Sequence, residues 1–409
     1  MTTRSASSSP PADLRLWATA TLVGAALFLG AWGLLHTGPL DDFEIVDIGT
    51  YQQYGDAMAT GEVPYRDFGL EYPPGALPAF FLPSLAPEED YRAAFETLML
   101  VCGFAGLAAL AYALVAAGRS PRQVYGAVGL AALAPLALGP VVLTRFDLWP
   151  AALLAGAVAA LAADRGPLGL GLLALAATAK LYALAVLPIA LVYVARRHGG
   201  RAALVSLGVF VLVAAAIVLP FAVVGADGLA DSVTRQAGRP LQIESLGASV
   251  LLVGHQLGLF DPSVVSSFGS QNLGGTVPDA LASMLTGLQV AAVAATWVLF
   301  ARGEASRTRF FVASAAAVAA FVAFGKVLSP QFLIWLILLV PLVPGLGAAA
   351  LLLAALVLTH LWFPSRYWDY VGLGSEAWLV LGRNLVLVAL VAALLRELSR
   401  PGREAARTT

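Results

Sequence analysis

The stretch from residue 202 to residue 224 reads AALVSLGVFVLVAAAIVLPFAVV and contains no charged side chain. A helix needs about 20 apolar residues to cross the hydrocarbon core of a bilayer. Six further stretches of the chain meet the same requirement: 14–36, 94–118, 123–143, 280–301, 346–363 and 377–396. The sequence therefore predicts an integral membrane protein that crosses the bilayer many times.

The composition of the whole chain leads to the same conclusion. Apolar residues make up 59% of its 409 residues and charged residues 12%, whereas soluble domains are about 45–50% apolar and about 25% charged. So few charges could not cover a surface in water, but a surface that faces lipid needs none. The single cysteine, Cys102, excludes an intramolecular disulfide bond and a cysteine-rich metal site.

The number of spans depends on how the apolar stretch 166–195 is divided. It could form one long helix, or two short helices that are separated near Lys180. With two helices, and with the shorter segments 147–163, 309–325 and 330–344, the chain has twelve spans and most arginines of its tails and short loops lie on one side. That side is the cytoplasm, because cytoplasmic loops carry an excess of Lys and Arg. We therefore expect an all-α polytopic bundle of about twelve transmembrane helices, with both termini in the cytoplasm.

Two long loops remain on the outer side in this arrangement, at residues 37–92 and 225–279. We expect residues 1–409 to form a single membrane domain, with residues 1–13 as a disordered cytoplasmic tail because that segment is short and polar. Only two of the 24 basic residues are lysines, and Ala and Gly are abundant. This bias is typical of a GC-rich bacterial genome and predicts the bacterial cytoplasmic membrane as the location.

The first outer loop is dense in carboxylates, tyrosines and prolines. Its three motifs are DIGTY at 47–51, PYRDF at 64–68 and EYPPG at 71–75. Ile48, Tyr51, Gly55 and Met58 recur at helical spacing, which predicts a short amphipathic helix at the membrane interface. Asp47 stands at the start of this helix, where it could take part in chemistry or simply cap the helix.

Charged residues also gather at the outer ends of the predicted helices. The four segments are RFDLWP at 145–150, KLY at 180–182, RQAGRPLQIES at 235–245 and GKVLSPQ at 325–331. An ionisable group at the centre of a membrane helix costs about 2.5–3.5 kcal/mol on insertion scales, so Lys180 marks either a functional site or a buried ion pair. Each arginine could instead extend along the helix and keep its charged end in water.

The types of side chain on the outer side indicate the chemistry of the substrate. Carboxylates and aromatic rings bind sugars, whereas Lys and Arg bind phosphate, so a substrate with a sugar, a phosphate and a long lipid fits best. The chain has no P-loop and no Gly-x-Ser-x-Gly motif, and its four histidines lack metal-ligand spacing. We therefore expect no cofactor, no metal and no nucleic-acid partner.

Together these segments resemble glycosyltransferase family 87, the bacterial mannosyltransferases that use polyprenyl-phosphate mannose and have the GT-C fold. The first-loop motifs, the four charged segments and Leu187-Pro188 carry the resemblance, in order, over nearly the whole chain. It implies the inverting transfer of a sugar, with mannose as the first expectation, from a polyprenyl-phosphate donor to a lipid or glycan acceptor on the outer face of the membrane. The expected partners are these two substrates and membrane lipids.

The resemblance also implies roles for individual residues. In that family the aspartate of an Asp-x-x-x-Tyr motif in the first loop is the general base, and it corresponds to Asp47. Asp41, Asp42 and Asp67 remain alternatives for this role, and cations would bind the lipid phosphate. The residues predicted to bind substrate are Tyr51, Arg66, Asp67, Glu71, Tyr72, Arg145, Asp147, Lys180, Tyr182, Arg235, Arg239, Gln242, Glu244, Lys326 and Gln331.

A secondary transporter or lipid flippase is the alternative prediction, since twelve spans and a lysine within the membrane fit it as well. Transporters often contain inverted repeats, with helix breaks at matching positions of the two halves. The breaks near Lys180 and Lys326 do not lie at equivalent positions, which favours the glycosyltransferase. The sequence does not indicate an oligomeric state.

Overall fold

The computed structural model describes residues 14–40 and 45–400. The predicted tail 1–13 and two of the alternative bases, Asp41 and Asp42, lie outside the described residues. The first nine helices are α1 (Leu14–Leu34), α2 (Ile48–Ala59), α3 (Leu77–Phe81), α4 (Tyr91–Ala116), α5 (Pro121–Leu138), α6 (Val141–Thr144), α7 (Leu148–Ala162), α8 (Gly166–Ala179) and α9 (Leu187–His198). The next nine are α10 (Gly200–Val224), α11 (Ala226–Ala237), α12 (Leu246–Gln256), α13 (Thr276–Arg302), α14 (Arg307–Ala323), α15 (Ile334–Ile337), α16 (Gly347–His360), α17 (Tyr367–Val371) and α18 (Ala377–Ser399).

Many of these helices are apolar enough to lie in a membrane. Within the described residues, six helical segments are long and apolar enough to cross it: Leu14–Leu34, Glu88–Ala116, Leu181–His198, Gly200–Val224, Thr276–Arg302 and Ala377–Ser399. Shorter apolar helical segments accompany them: Pro74–Leu85, Leu148–Ala162, Gly166–Ala179, Leu246–Gln256, Pro330–Leu342 and Gly347–His360. The chain is therefore an all-α multi-pass membrane protein, as its sequence predicts.

The segment 330–344, predicted as a span, is not one continuous helix. It consists of a 3-10 turn, the four-residue helix α15 and a second 3-10 turn at Val340–Leu342. Pro341 lacks the backbone N–H that a regular helix needs, and its ring would clash with the carbonyl four residues earlier, at Ile337, which is where α15 ends. The turns place Trp335, which α15 carries, against the ends of α7 and α8.

The stretch 166–195 is divided at Lys180, as the charge distribution predicts. Lys180 has an extended backbone, with φ −158° and ψ 124°, between α8 and a 3-10 turn that leads into α9. Its Nζ lies 2.7 Å from Asp147, just before α7, whereas Arg197 at the end of α9 donates to Asp164, just after α7. Because α7 separates these two aspartates, α8 and α9 run in opposite directions and form the predicted hairpin.

The end of the bundle at Asp164 is held together by arginines. Asp164 Oδ2 accepts a hydrogen bond from Arg307 Nη2 at 2.7 Å, and Oδ1 accepts one from Arg197 Nε at 2.8 Å. Arg309 donates to the carbonyl group of Leu398, near the end of α18. We call this region the Asp164 end; the two large loops lie at the opposite end.

The first loop contains the predicted amphipathic helix, α2. Its buried residues are Ile48, Tyr51 and Gly55, in agreement with their spacing. The Tyr51 ring lies 4.7 Å from that of Phe80 and 5.5 Å from that of Phe95, measured between centroids. The apolar face of α2 therefore packs against α3 and α4 of the protein itself.

The second loop contains ordered structure that the sequence does not predict. The helices α11 and α12 accompany three antiparallel strands in the order β1-β3-β2, which are β1 (Leu241–Gln242), β2 (Ser263–Ser267) and β3 (Ser270–Gly274). Strands this short carry too little alternation to be recognised. The backbone N–H of Gln242 also donates to the carbonyl of Lys326 at 3.0 Å, so the sheet joins this loop to the segment after α14.

The Pro73-Pro74-Gly75 segment brings the first loop into contact with the end of α8. A Cβ atom on Gly75 would lie 2.6 Å from the carbonyl carbon and from the hydroxyl oxygen of Thr178. Trp149 donates its indole N–H to the Gly75 carbonyl at 3.1 Å. Close packing of two backbones therefore requires glycine at this position.

We expect Gly75→Ala to lower the free energy of unfolding by about 1–3 kcal/mol, the usual cost of overpacking, because the Thr178 backbone blocks the added methyl group. Gly69→Ala in the same loop is the matched control, since a Cβ atom there would contact nothing within 4 Å. Thermal unfolding of the purified protein in detergent measures both effects. Equal unfolding midpoints for the two variants would contradict the close packing.

Candidate functional site

A cavity of about 800 Å³ lies between the two large loops and the adjoining helix ends. It brings together segments that are far apart in the chain. Eleven of the sixteen predicted site residues line it: Asp47, Glu71, Tyr72, Arg145, Lys180, Tyr182, Arg239, Gln242, Glu244, Lys326 and Gln331. The remaining lining is mostly apolar and includes Phe210, Ala214 and Val218, which lie one helical turn apart on α10.

Asp47 forms an ion pair with Arg145 in the cavity wall. Asp47 Oδ1 lies 2.6 Å from Arg145 Nη1, and the Tyr51 hydroxyl donates to Asp47 Oδ2 at 3.3 Å. Asp47 directly precedes α2, yet its side chain makes no capping hydrogen bond, so the structure does not support the capping alternative. The Asp47 side chain is 35% exposed and that of Arg145 is 5% exposed. A buried cation thus holds a carboxylate that is open to the cavity.

Lys180 belongs to a buried ion pair. Its Nζ donates to Asp147 Oδ1 at 2.7 Å, and the same oxygen accepts a hydrogen bond from Trp335 Nε1 at 2.6 Å. Asp147 is fully buried and does not line the cavity, whereas Lys180 does. Of the two interpretations of Lys180, the structure therefore shows the ion pair.

Aromatic rings surround the Lys180 ammonium group. Its Nζ lies 4.6 Å from the ring centroid of Phe146 and 5.2 Å from that of Trp335, distances at which a ring face attracts a cation. Tyr182 stacks on Trp335 with 3.8 Å between centroids and 1° between planes. Tyr182 thus contributes an aromatic surface to the cavity wall.

Arg239 and Lys326 are the cavity cations that form no ion pair within 4 Å among the described residues, in contrast to Arg145 and Lys180. Arg239 Nη2 donates to Ser270 Oγ at 2.9 Å, and Lys326 Nζ donates to the carbonyl of Ala237 at 2.8 Å. Burial lowers the pKa of both side chains, and the positive charge of Arg239 lowers the pKa of Lys326 further. The two residues therefore present positive charge to the cavity.

Glu244 and Gln242 form a buried polar pair in the second loop. The Gln242 side-chain amide donates to Glu244 Oε2 and, at 3.4 Å, to Ser329 Oγ. Burial raises the pKa of Glu244 to about 7, although the charges of Arg383 and Arg239 act in the opposite direction. Glu244 can therefore carry a proton near neutral pH.

Arg383 and Asn384 on α18 lie behind the cavity wall and contact Glu244, and the sequence interpretation missed both. Both are buried, and both donate to the carbonyl oxygen of Glu244, at 2.9 and 3.2 Å. Arg383 is a charged residue within the predicted last span, and an intramembrane charge is by itself a sign of function. That signal was present in the sequence.

Five predicted site residues do not line the cavity. Tyr51 and Asp147 lie behind its wall and hold Asp47 and Lys180, whereas Arg235 is exposed and outside it. Arg66 and Asp67 pair with each other at the surface, at 2.7 Å. The hydrogen bond from Arg66 and that from the Val63 N–H lower the pKa of Asp67 to about 2. Asp67 thus lies apart from the cavity that contains Asp47.

Metal ligands do not cluster in the part of the chain that the structure describes. No group of three or more His, Cys, Asp or Glu side chains there could hold a metal ion. The carboxyl groups in the cavity are instead accompanied by arginines. Burial raises the pKa of Glu71, for example, and the nearby charge of Arg239 acts against this.

Comparison with protein families gives one match. The model of glycosyltransferase family 87 matches residues 70–330, which is more than half of the chain. The matched region includes Lys180, the second loop and the two cations Arg239 and Lys326. It begins after Asp47. No curated protein matches the sequence.

The Asp147–Lys180 pair leads to a stability prediction. Lys180→Met should lower the free energy of unfolding by about 3–5 kcal/mol, because it leaves the charge of Asp147 buried without compensation. The double variant Asp147→Asn/Lys180→Met removes both charges and should recover at least half of that loss. Thermal unfolding in detergent measures both. If the single variant unfolds like the wild type, Lys180 does not compensate a buried charge.

Proposed function

Since the chain belongs to glycosyltransferase family 87, we propose that it transfers a sugar, with mannose as the first candidate, from a polyprenyl-phosphate donor to a hydroxyl group of a lipid or glycan acceptor. One observation carries the proposal: Asp47 and the unpaired cations Arg239 and Lys326 line the same, largely apolar cavity. Such a cavity suits a ligand that combines a lipid chain, a phosphate and a sugar. Membership of a glycosyltransferase family favours this function over a transporter or flippase.

Asp47 is the proposed general base. As the acceptor oxygen attacks the anomeric carbon, its proton passes to Asp47, and the bond between that carbon and the phosphate oxygen breaks. This single displacement inverts the configuration of the sugar. Arg145 would hold the carboxylate in position, since the two side chains are 2.6 Å apart. Glu71 and Glu244 also line the cavity, but burial raises the pKa of each, so both retain a proton more readily than an ordinary carboxyl group.

Arg239 and Lys326 are the proposed phosphate ligands. The electron pair of the broken bond remains on the phosphate, so negative charge grows there in the transition state. Fixed cations at that position stabilise this charge. A phosphate can leave without being protonated, so the proposed reaction needs no acid, metal or other cofactor. Lys180 would act at longer range, because Asp147 already compensates its charge.

We place the cavity on the outer face of the bacterial cytoplasmic membrane. The Asp164 end carries Arg197, Arg307 and Arg309, and short loops rich in arginine face the cytoplasm. Arg309 binds the carbonyl of Leu398 there, so α18 ends at the same end of the bundle. The cavity lies at the opposite end, where a lipid-linked donor could enter from the outer leaflet.

Replacing the base should slow transfer. Asp47→Asn should reduce the rate by about 10²–10⁴-fold while donor binding is retained, since the amide keeps the size of the side chain but cannot take up the proton. The assay uses purified protein, radiolabelled polyprenyl-phosphate mannose and membrane lipid acceptors.

Asp67→Asn is the matched control for this experiment, because Asp67 belongs to the same loop but pairs with Arg66 outside the cavity. It should transfer at close to the wild-type rate. Full activity of Asp47→Asn would rule out Asp47 as the base. If the wild type consumes no polyprenyl-linked sugar but moves a solute across liposomes, the transporter alternative is correct.

Replacing a residue that binds the phosphate should weaken binding of the donor. Arg239→Gln and Lys326→Gln should each raise the KM for the donor about tenfold, because a hydrogen bond to a charged group contributes about 1.5–3 kcal/mol. Arg235→Gln is the control, since Arg235 is exposed and does not line the cavity. An equal effect of all three substitutions would indicate a general loss of positive charge and not a phosphate site.

A further inference from the structure

Buried polar side chains gather where the second loop meets α18. Glu244 and Gln242 are 2% and 3% exposed, and both line the cavity. Behind them, Arg383 Nη2 and Asn384 Nδ2 bind the main-chain carbonyl of Glu244, and Asn384 also binds Ser249 Oγ at 2.9 Å. The α18 residues thus hold the backbone of Glu244 and leave its carboxyl group directed to other partners.

Several polar atoms of this cluster have no hydrogen-bond partner within the described residues. They are Gln242 Oε1, Arg383 Nε and Nη1, and Asn384 Oδ1, all of them buried. A buried polar atom without a hydrogen bond costs about 1–3 kcal/mol, so native proteins rarely keep several together. Gln242 itself lines the cavity, so its unpaired Oε1 lies in the wall of the space that a ligand would fill.

The Glu244 carboxyl group has the properties of a hydroxyl-binding group. No ion pair reaches it in the described part of the chain, since Arg383 binds its main chain and its one side-chain partner is the Gln242 amide. Its pKa of about 7 means that near neutral pH it can donate as well as accept a hydrogen bond. A carboxyl group beside an amide offers both kinds of partner to neighbouring hydroxyl groups of a sugar ring.

The position of the pair indicates which sugar it meets. The backbone N–H of Gln242 donates to the Lys326 carbonyl at 3.0 Å, and Arg239 is close enough for its charge to lower the pKa of Glu244. Both cations are the proposed phosphate ligands. A sugar that is bonded directly to the phosphate must lie next to these cations, and the two contacts put the Glu244–Gln242 pair in the same part of the cavity.

We infer that Glu244 and Gln242 bind hydroxyl groups of the donor sugar, and that Arg383 and Asn384 position Glu244 for this contact. The inference rests on the proposed function, because it takes the donor to be a sugar linked to a lipid phosphate. It assigns sugar recognition to the second loop and α18, and catalysis to the first loop.

The experiment measures binding in the Asp47→Asn background, so that turnover does not interfere. Two ligands are compared by fluorescence titration: a short-chain polyprenyl phosphate that carries mannose, and the methyl ester of the same polyprenyl phosphate, which lacks the sugar but keeps the same single negative charge. Two hydrogen bonds to the sugar should make the first ligand bind at least about tenfold more tightly. Added Glu244→Met should remove this preference and leave the affinity for the sugar-free lipid unchanged.

Further variants separate recognition from folding. Glu244→Gln keeps the shape and most hydrogen bonds and should keep much of the preference. Arg383→Met should reduce the preference for the sugar-bearing lipid without weakening the binding of the sugar-free lipid, as expected of a positioning residue. Glu62→Met, which removes an exposed carboxylate of the first loop, is the control. If Glu244→Met does not fold, single-deoxy analogues of the donor sugar provide the test, and at least one should bind about as weakly as the sugar-free lipid.

The outcomes distinguish the inference from the proposed function. If the Asp47→Asn protein binds both lipids equally, a sugar-bearing donor is not recognised and the proposed function itself is wrong. If the preference exists but survives Glu244→Met, or if every single-deoxy analogue binds as well as the full sugar, the inference is overturned and the proposed function stands. If Glu244→Met loses affinity only for a glycan acceptor, the inference is also overturned, because Glu244 and Gln242 would then bind the acceptor and not the donor sugar.

Discussion

The ion pair between Asp147 and Lys180 is the interaction on which the cavity depends. A single charge removed from water costs several kcal/mol, and this cost is offset only when an opposite charge and further hydrogen bonds meet it at short range. Asp147 precedes α7, Lys180 follows α8 and Trp335 lies on α15. Compensation of one buried carboxylate therefore brings two helix ends and α15 together, and these parts form one wall of the cavity.

The position of the proposed base follows from that wall. Arg145 lies two residues before Asp147 in an extended conformation, with φ −124° and ψ 140°, so fixing Asp147 also fixes the guanidinium group. Arg145 then holds Asp47 and, at 3.3 Å, the carbonyl of Ile45. The cations of the cavity thus fall into two groups. Those with a carboxylate partner build the framework, and those without one remain for an anionic ligand.

The sequence predicted the parts of this structure that depend on local composition. Apolar length revealed the helices, and the charge distribution located the break at Lys180, because only two short helices there leave most arginines of the tails and short loops on one side. The partner of Lys180 could not be predicted, since Asp147 is brought to it only by the packing of α7 on α8. The short strands around Gln242 lacked a periodic signal, and Arg383 was overlooked because a hydrophobic average absorbs one charge in a long span.

The charge balance of the cavity explains both the strength and the limit of the proposed phosphate site. The two ion pairs cancel their own charges, which leaves Arg239 and Lys326 against Glu71 and Glu244. Burial raises the pKa of both glutamates, so a proton neutralises each of them more readily than an ordinary carboxyl group, which favours the binding of an anion. In the proposed reaction a phosphodiester with one negative charge becomes a phosphate monoester that carries about 1.5–2 negative charges. The cations that stabilise the leaving group therefore bind the product lipid more tightly than the donor, and product release opposes any further gain in phosphate affinity.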